Sequence, residues 1–291
     1  MKTVVMTEDV PEFLDRPIPE AGAGELVVRV AAAAVNPIDV QTADGLPRRI
    51  GWTAPDAVLE LGWDFAGEVV ATAPDTSIAA GTTVAGLVPG TERGSFAEYV
   101  AVPEAAVAPV PKGLDVVAAG SVPLNTLTAA QAVDLLGEPD GELLVTGAAG
   151  AVGLYAVTLA ARAGWRVAAY ARPSDREVVL AAGAASAPGG VGDGYAAVLD
   201  AAALGDPAVA AVADGGVYVG VLPSATPTSD RVRVAAVSVV PDGARTRELL
   251  GLVADGVLAA RVRSTVPLER FADALEEAGR PGGRGRVVLT T

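Results

Sequence analysis

The sequence predicts an α/β chain in two parts, a small all-β barrel or sandwich followed by a doubly wound parallel sheet. Three observations predict it. Short apolar runs broken by Pro, Gly and Asp turns fill the chain up to about Val116. Beyond that point strand-like and helix-like stretches alternate, the βαβ pattern of a parallel sheet. Within that series Leu143-Leu144-Val145 leads through a small-residue turn into an Ala-rich stretch that ends at Gly164.

Taken in order, residues 2–6 and 25–35 read as strands on either side of a Pro/Gly-rich turn at 17–24. Further short strands are expected at 67–73, 83–87 and 96–102. A helix is expected at 126–136, then strands at 143–146, 166–171, 196–200, 217–222 and 232–240. The last forty residues break the alternation. They read as a helix at 244–255, a strand near 261–266, a helix at 268–278 and a terminal strand at 286–290. The domain boundaries implied are 1–120 together with 258–291 for the β-rich part, and 121–257 for the parallel sheet.

Composition removes several function classes. The net charge is -14, where a nucleic-acid binder would present a basic footprint. The chain has neither Cys nor His, which leaves no disulfide, no thiolate or imidazole metal ligand and no imidazole base. No apolar run approaches the roughly 18 residues of a membrane span. Residues 1–11 carry acids early and lack the apolar core of a signal peptide, so a cytoplasmic protein is expected.

The stretch Thr146-Gly147-Ala148-Ala149-Gly150-Ala151-Val152-Gly153 between strand and helix has the form A-x-G-x-x-G, with Ala148 at the position that often holds the first glycine. Missing side chains let a backbone approach a pyrophosphate, and the helix N-terminus offers N–H groups and the positive end of its dipole. Ala149, Gly150, Ala151 and Val152 are therefore the expected pyrophosphate contacts. The next strand ends in Tyr170-Ala171-Arg172 with no acid to hold a ribose 2′-hydroxyl. A guanidinium there suits a 2′-phosphate, with Ser174 beside it, so NADPH (NADP+) is the expected cofactor. Ser174-Asp175-Arg176-Glu177 also has the form of a capping box. The phosphate reading requires Asp175 to turn away from the site.

Six short motifs in order give the chain a family likeness. They are Val35-Asn36-Pro37-Ile38-Asp39, Gly62-Trp63-Asp64-Phe65-Ala66-Gly67, Gly94-Ser95-Phe96-Ala97-Glu98-Tyr99-Val100, Pro123-Leu124-Asn125-Thr126-Leu127-Thr128-Ala129, the glycine turn, and Gly285-Arg286-Val287-Val288-Leu289. Across nearly its whole length the chain resembles the zinc-free quinone oxidoreductases, the zeta-crystallin-like branch of the medium-chain dehydrogenase/reductase superfamily. The resemblance implies a GroES-like β-barrel catalytic domain plus a Rossmann-like sheet, with the active cleft along their junction. It also implies hydride transfer from NADPH to a quinone or α,β-unsaturated carbonyl, a small electron-poor acceptor. Asn36 and Trp63 stand where the zinc-bearing relatives place a Cys and a His, so no metal is implied.

The resemblance also implies residue roles. Asn36 would lie near the nicotinamide, and Asn125 would donate to a substrate oxygen. Thr128 would contact the cofactor, or else bond back to its own helix. Val221 and Leu222, ending a Rossmann strand, would line the cofactor. Arg286 would reach the cofactor or lie in solvent. Where many relatives carry tyrosines after the N-x-x-D motif, this chain has Gln41 and Pro47, and Trp52 offers an aromatic wall instead. No dedicated proton donor is evident. The rewritten loop 40–56 keeps a biosynthetic ene-reductase with a bulky substrate open, and a nucleotide-binding protein without turnover is a further alternative. The apolar stretch 231–240 is expected at a sheet edge, where relatives pair across a two-fold axis, so a homodimer is expected.

Overall fold

The computed structural model describes residues 1–7, 10–88, 93–280 and 282–291. In chain order the first elements are β1 (Lys2–Met6), β2 (Pro11–Asp15), β3 (Glu25–Val35), α1 (Pro37–Ala43), α2 (Leu46–Arg49), β4 (Leu59–Glu60), β5 (Asp64–Thr72), β6 (Thr83–Leu87), β7 (Tyr99–Pro103), β8 (Val107–Pro109) and α3 (Val116–Gly120). Next come α4 (Pro123–Leu136), β9 (Glu142–Thr146), α5 (Ala151–Arg162), β10 (Arg166–Tyr170), α6 (Arg176–Ala181), β11 (Tyr195–Asp200), α7 (Asp206–Ala210), β12 (Val212–Gly220) and β13 (Arg233–Ala236). The chain finishes with α8 (Gly243–Ala254), β14 (Val262–Pro267), α9 (Phe271–Gly279) and β15 (Arg286–Thr290). No helix among the described residues is long and apolar enough to cross a membrane.

The chain divides into two compact units, Met1–Leu124 with Val240–Thr291, and Asn125–Val239. The first is the GroES-like unit. Its large sheet runs β14-β15-β3-β5-β6-β8, with β7 paired to β3, and a second sheet runs β2-β1-β4. Bulges between Val27 and Val28 and between Val30 and Ala32 curve β3 against β5. There Gly67 lies so close to β3 that a Cβ would stand 2.0 Å from the Arg29 carbonyl oxygen. Alternation along these strands sends Val4, Leu26, Val28, Phe65 and Leu289 into one core, which Phe96, just ahead of β7, joins. The unit boundaries differ from those read in the sequence. Helix α8 packs on β8, where a Cβ on Gly243 would stand 2.3 Å from the Val107 carbonyl oxygen, and so belongs with the barrel.

The second unit is the Rossmann-like sheet, of order β10-β9-β11-β12-β13, with all four pairings parallel. Its five strands are the five expected from the alternation. The order reverses between β9 and β11, the switch point at which such sheets bind ligands beyond their strand ends. A further strand beside β10 is reduced to one bridge, Ala168 to Ser186. The strand expected at 232–240 is shorter. Its partner β12 ends at Gly220, opposite Ala236, so residues 237–240 have no strand to pair with.

Candidate active site

In the GroES-like unit the N-x-x-D motif forms a buried polar cluster. Pro37 opens α1 and Asn36 caps it. The Asn36 backbone N–H donates to Asp39 Oδ2 at 2.8 Å, and Gly62 N–H donates to Asp39 Oδ1 at 3.1 Å. The Asn36 amide donates to Asp64 Oδ2 at 2.8 Å and to the Ala34 carbonyl at 3.3 Å. Asp64 Oδ1 accepts from Leu124 N–H at 2.5 Å. All three side chains are essentially inaccessible, with exposures of 1% or less. Burial raises the carboxyl of Asp39 to about 7 against the donors from Asn36 and Gly62, and the charge of Asp64 adds to the rise. Burial likewise raises Asp64 to about 7 against its bonds from Asn36 and Leu124. The Arg286 guanidinium lies close enough to lower both. Arg286 is thus tied electrostatically to this acidic pair, a setting that its position in the sequence does not reveal.

This cluster carries a stability prediction. Between about pH 4 and pH 7 the folded chain holds protons on Asp39 and Asp64 that the unfolded chain has released. Their stabilising contribution is complete below about pH 4 and is lost as pH rises through about 7. The slope is about 1.4 kcal/mol per pH unit for each proton held. Thermal melts should therefore show a falling Tm from pH 5 to pH 7.5, and Asp39→Asn should flatten that fall. A wild-type Tm level across this range would contradict the assignment.

The acceptor-side residues separate. Pro47 is buried in α2, and its carbonyl accepts from Trp52 N–H at 2.9 Å and Thr53 N–H at 3.3 Å. Gln41 is half-buried on α1. Trp52 keeps 49% of its surface exposed and tilts against Trp63, ring centroids 6.1 Å apart. Arg48 braces the segment by donating to the carbonyls of Ala57 (2.8 Å) and Met6 (3.1 Å). Of the three residues expected to face substrate, Trp52 is the one that offers an open apolar surface. An open groove of about 530 Å³ elsewhere on this unit, lined by Arg29, Gly67, Glu68, Thr83, Tyr99 and Thr291 among others, contains none of the expected site residues.

In the Rossmann-like unit the glycine turn follows β9. Gly147 takes the left-handed conformation (φ 56°), and Ala148 is fully buried with its N–H on the Tyr170 carbonyl at 3.2 Å. Gly150 N–H closes the turn onto the Gly147 carbonyl at 2.8 Å, and Gly150 then caps α5. The N–H groups of Ala151, Val152 and Gly153 precede the first intrahelical bond, Leu154 N–H to Gly150 O at 3.1 Å. A Cβ on Gly153 would stand 2.2 Å from the Gly147 carbonyl oxygen, so the helix packs this close to the turn only with glycine there. Ala149, Ala151 and Val152 are half-buried and Gly150 is exposed.

At the end of β10, Arg172 and Ser174 are exposed. The Ser174 capping box does not form. A 3₁₀ turn spans Pro173–Asp175, and α6 starts after Asp175, which is 5% exposed. Asp175 is therefore buried rather than turned out to solvent as the phosphate reading required, while Arg172 and Ser174 beside it are exposed. Arg176, next along, donates to the Ala187 carbonyl at 2.7 Å. Asn125 and Thr128 are buried, three residues apart on one face of α4. Val221 and Leu222 are half-buried just past β12, with Val221 N–H 3.4 Å from the Asp200 carbonyl.

Sequence reasoning missed a network in this unit. Thr146 and Tyr218 both donate to Asp200, and all three are buried at or near the carboxyl ends of β9, β11 and β12. The signal was present for two of them, a polar residue closing each of the apolar runs 143–146 and 196–200.

Comparison with known proteins bears on both units. Residues 22–112 match the alcohol dehydrogenase GroES-like domain, and residues 177–289 match the zinc-binding dehydrogenase family. A trans-enoyl reductase of Trichoderma harzianum, thnE, is 35% identical over 193 residues, 58% of this chain and 50% of that protein. The chloroplastic NADPH-dependent alkenal/one oxidoreductase of Arabidopsis thaliana is 28% identical over 94% of this chain and 73% of its own length. The structure of the quinone oxidoreductase from Coxiella burnetii has a TM-score of 0.86 and 23% identity, covering 100% of this chain and 99% of that one, a likeness of fold. The chain spans about half the length of several curated relatives that it matches.

Proposed function

We propose that this chain, which belongs to the medium-chain dehydrogenase/reductase superfamily, is a zinc-independent, NADPH-dependent oxidoreductase that reduces a quinone or α,β-unsaturated carbonyl. The observation that carries the reading is the glycine turn at the switch point of the parallel sheet, with the first N–H groups of α5 beyond it. NADPH, when bound, supplies the hydride. Ala149, Gly150, Ala151 and Val152 would hold its pyrophosphate, and Arg172 with Ser174 its 2′-phosphate. Asn125, Thr128, Val221 and Leu222 would flank it, and Asn36 would lie toward the nicotinamide. The acceptor gains one hydride and one proton. Water supplies that proton, because no Tyr, Lys or His stands where a dedicated acid is expected. Trp52, backed by Trp63, offers an aromatic face for a planar acceptor.

Zinc does not fit these residues. The chain has no His or Cys, and the Asn36 amide is committed to Asp64 and Ala34. Without a Lewis acid to polarise an alcohol, an already electron-poor acceptor is favoured. Elemental analysis of purified protein should return far less than one zinc per chain, and chelator should leave activity unchanged. One tightly held zinc per chain would overturn this. The test of the function is steady NADPH oxidation on adding a simple quinone or enone. Binding of NADPH without turnover on either would leave a nucleotide-binding protein. The likeness to a trans-enoyl reductase favours a second reading, an ene-reductase with one bulky substrate, distinguished by turnover of enones but not quinones.

A homodimer through the edge of the Rossmann-like sheet belongs to the same proposal. Strand β13 ends that sheet, with its outer side unpaired among the described residues. Light scattering that returns a monomer at micromolar concentration would rule it out.

A further inference from the structure

The network beneath the glycine turn has a geometry that packing alone does not require. Asp200 Oδ1 accepts from Thr146 Oγ1 at 2.5 Å, while Oδ2 accepts from Tyr218 OH at 3.0 Å and from Gly205 N–H at 2.9 Å. Thr146 Oγ1 in turn accepts from Ala202 N–H at 3.2 Å. Thr146 and Asp200 are fully buried and Tyr218 is 1% exposed. Burial and the adjacent Asp200 charge raise the Tyr218 hydroxyl far above its ordinary range, so it remains a donor. Three strands and loop 201–205 are thus tied to one carboxylate, with the glycine turn starting directly after Thr146.

Both loops lie at the switch point. One is the turn 147–150, whose left-handed Gly147 faces the second loop: a Cβ there would stand 3.1 Å from Ala202 N and 3.2 Å from the Ala201 carbonyl. The second loop, 201–205, contains Ala203, whose φ of 52° is left-handed and the only such value at a non-glycine among the described residues. A strained alanine persists only where its surroundings over-determine the backbone, and such residues cluster where a ligand is held. The anchors below are buried, whereas Ala202 and Ala203 above them are exposed and carry only methyl groups. A ligand arriving at this edge would meet rigid backbone rather than mobile side chains.

We propose that Thr146, Asp200 and Tyr218 are positioning residues for dinucleotide binding, locking the glycine turn against loop 201–205 before the ligand arrives. The inference rests on the dinucleotide reading given above. Preorganised backbone donors lose less freedom on binding, so loosening the network should weaken affinity rather than only stability. Because the turn faces the part common to both nucleotides, NADPH and NADH should suffer equally.

The test is calorimetric titration of the full chain with NADPH and with NADH, with melting temperatures measured without nucleotide. Tyr218→Phe and Thr146→Val should each raise both dissociation constants by about tenfold, the equivalent of losing one buried hydrogen bond. Thr146→Ser, which returns the hydroxyl, should bind within about twofold of wild type. If Thr146→Val does not fold, Tyr218→Phe, which keeps the ring in place, decides alone. Wild-type dissociation constants in the variants, whatever their melting temperatures, would show a merely structural network and overturn the inference. A wild-type chain that binds neither nucleotide would instead overturn the dinucleotide reading and this inference with it.

Discussion

Gly150→Val should weaken NADPH and NADH together by roughly 100-fold or more, about 2.7 kcal/mol of binding free energy. Gly150 caps α5 with φ −68° and ψ −179°, an extended conformation open to any L-residue, so its glycine is not required by the backbone angles. It is exposed, directly ahead of the N–H groups of Ala151 and Val152. A Cβ would meet the Gly147 carbonyl oxygen at 2.9 Å, so the turn must shift slightly, and the valine methyls would occupy the space ahead of the helix. An anion held there by backbone N–H groups and helix dipole loses both distance and alignment. Gly150→Ala, with one methyl, should cost less than Gly150→Val while following the same pattern. Calorimetry with each nucleotide and a melting curve for each variant make the check. Unchanged affinity in a folded Gly150→Val protein would place the pyrophosphate elsewhere.

The contrast between Gly147, Gly150 and Gly153 shows how far a sequence can be read. The motif and its strand–turn–helix setting are local, so strand, turn and helix were legible from some twenty consecutive residues. The motif alone pointed to Ala148 as the first turn position. In the fold the left-handed residue is Gly147, and Ala148 is buried with its N–H on β10, a contact set by a strand twenty residues on. Asp39 and Asp64 form one cluster only because β5 returns beside the end of β3, which no local pattern encodes. Tyr218 was similarly hidden: an aromatic in an apolar strand is ordinarily core, and its hydroxyl matters because Asp200 closes the neighbouring strand at the right height. The short helices α1, α2 and α3 were not visible as such, since none is longer than seven residues and periodicity needs more turns than that. The expected edge strand was over-read for a related reason. An apolar run sets the capacity to pair, but the length of β12 sets how much of it does.

Arg172→Ala should remove most of an NADPH preference by weakening NADPH alone. Arg172 follows β10 at the strand end where a ribose-binding acid would otherwise stand, and Ser174 lies two residues further. Both are exposed, and neither makes an ion pair or side-chain hydrogen bond among the described residues, so neither must first be released from a competing partner. Asp175 is buried beside them rather than turned out to solvent, which counts against this reading, since its charge would oppose a phosphate held close by. Charge-assisted bonds to a phosphate contribute about 1.5–3 kcal/mol each, and exposure to solvent and salt favours the lower end, so the preference should be about tenfold or more. Raising the salt concentration should erode it, since the Debye length falls to about 3 Å at 1 M. NADH, lacking the phosphate, should bind Arg172→Ala as it binds wild type. Titration of both proteins with both nucleotides gives the four dissociation constants. Equal values for NADPH and NADH in the wild-type chain would defeat the assignment and leave Ser174 as an ordinary surface residue.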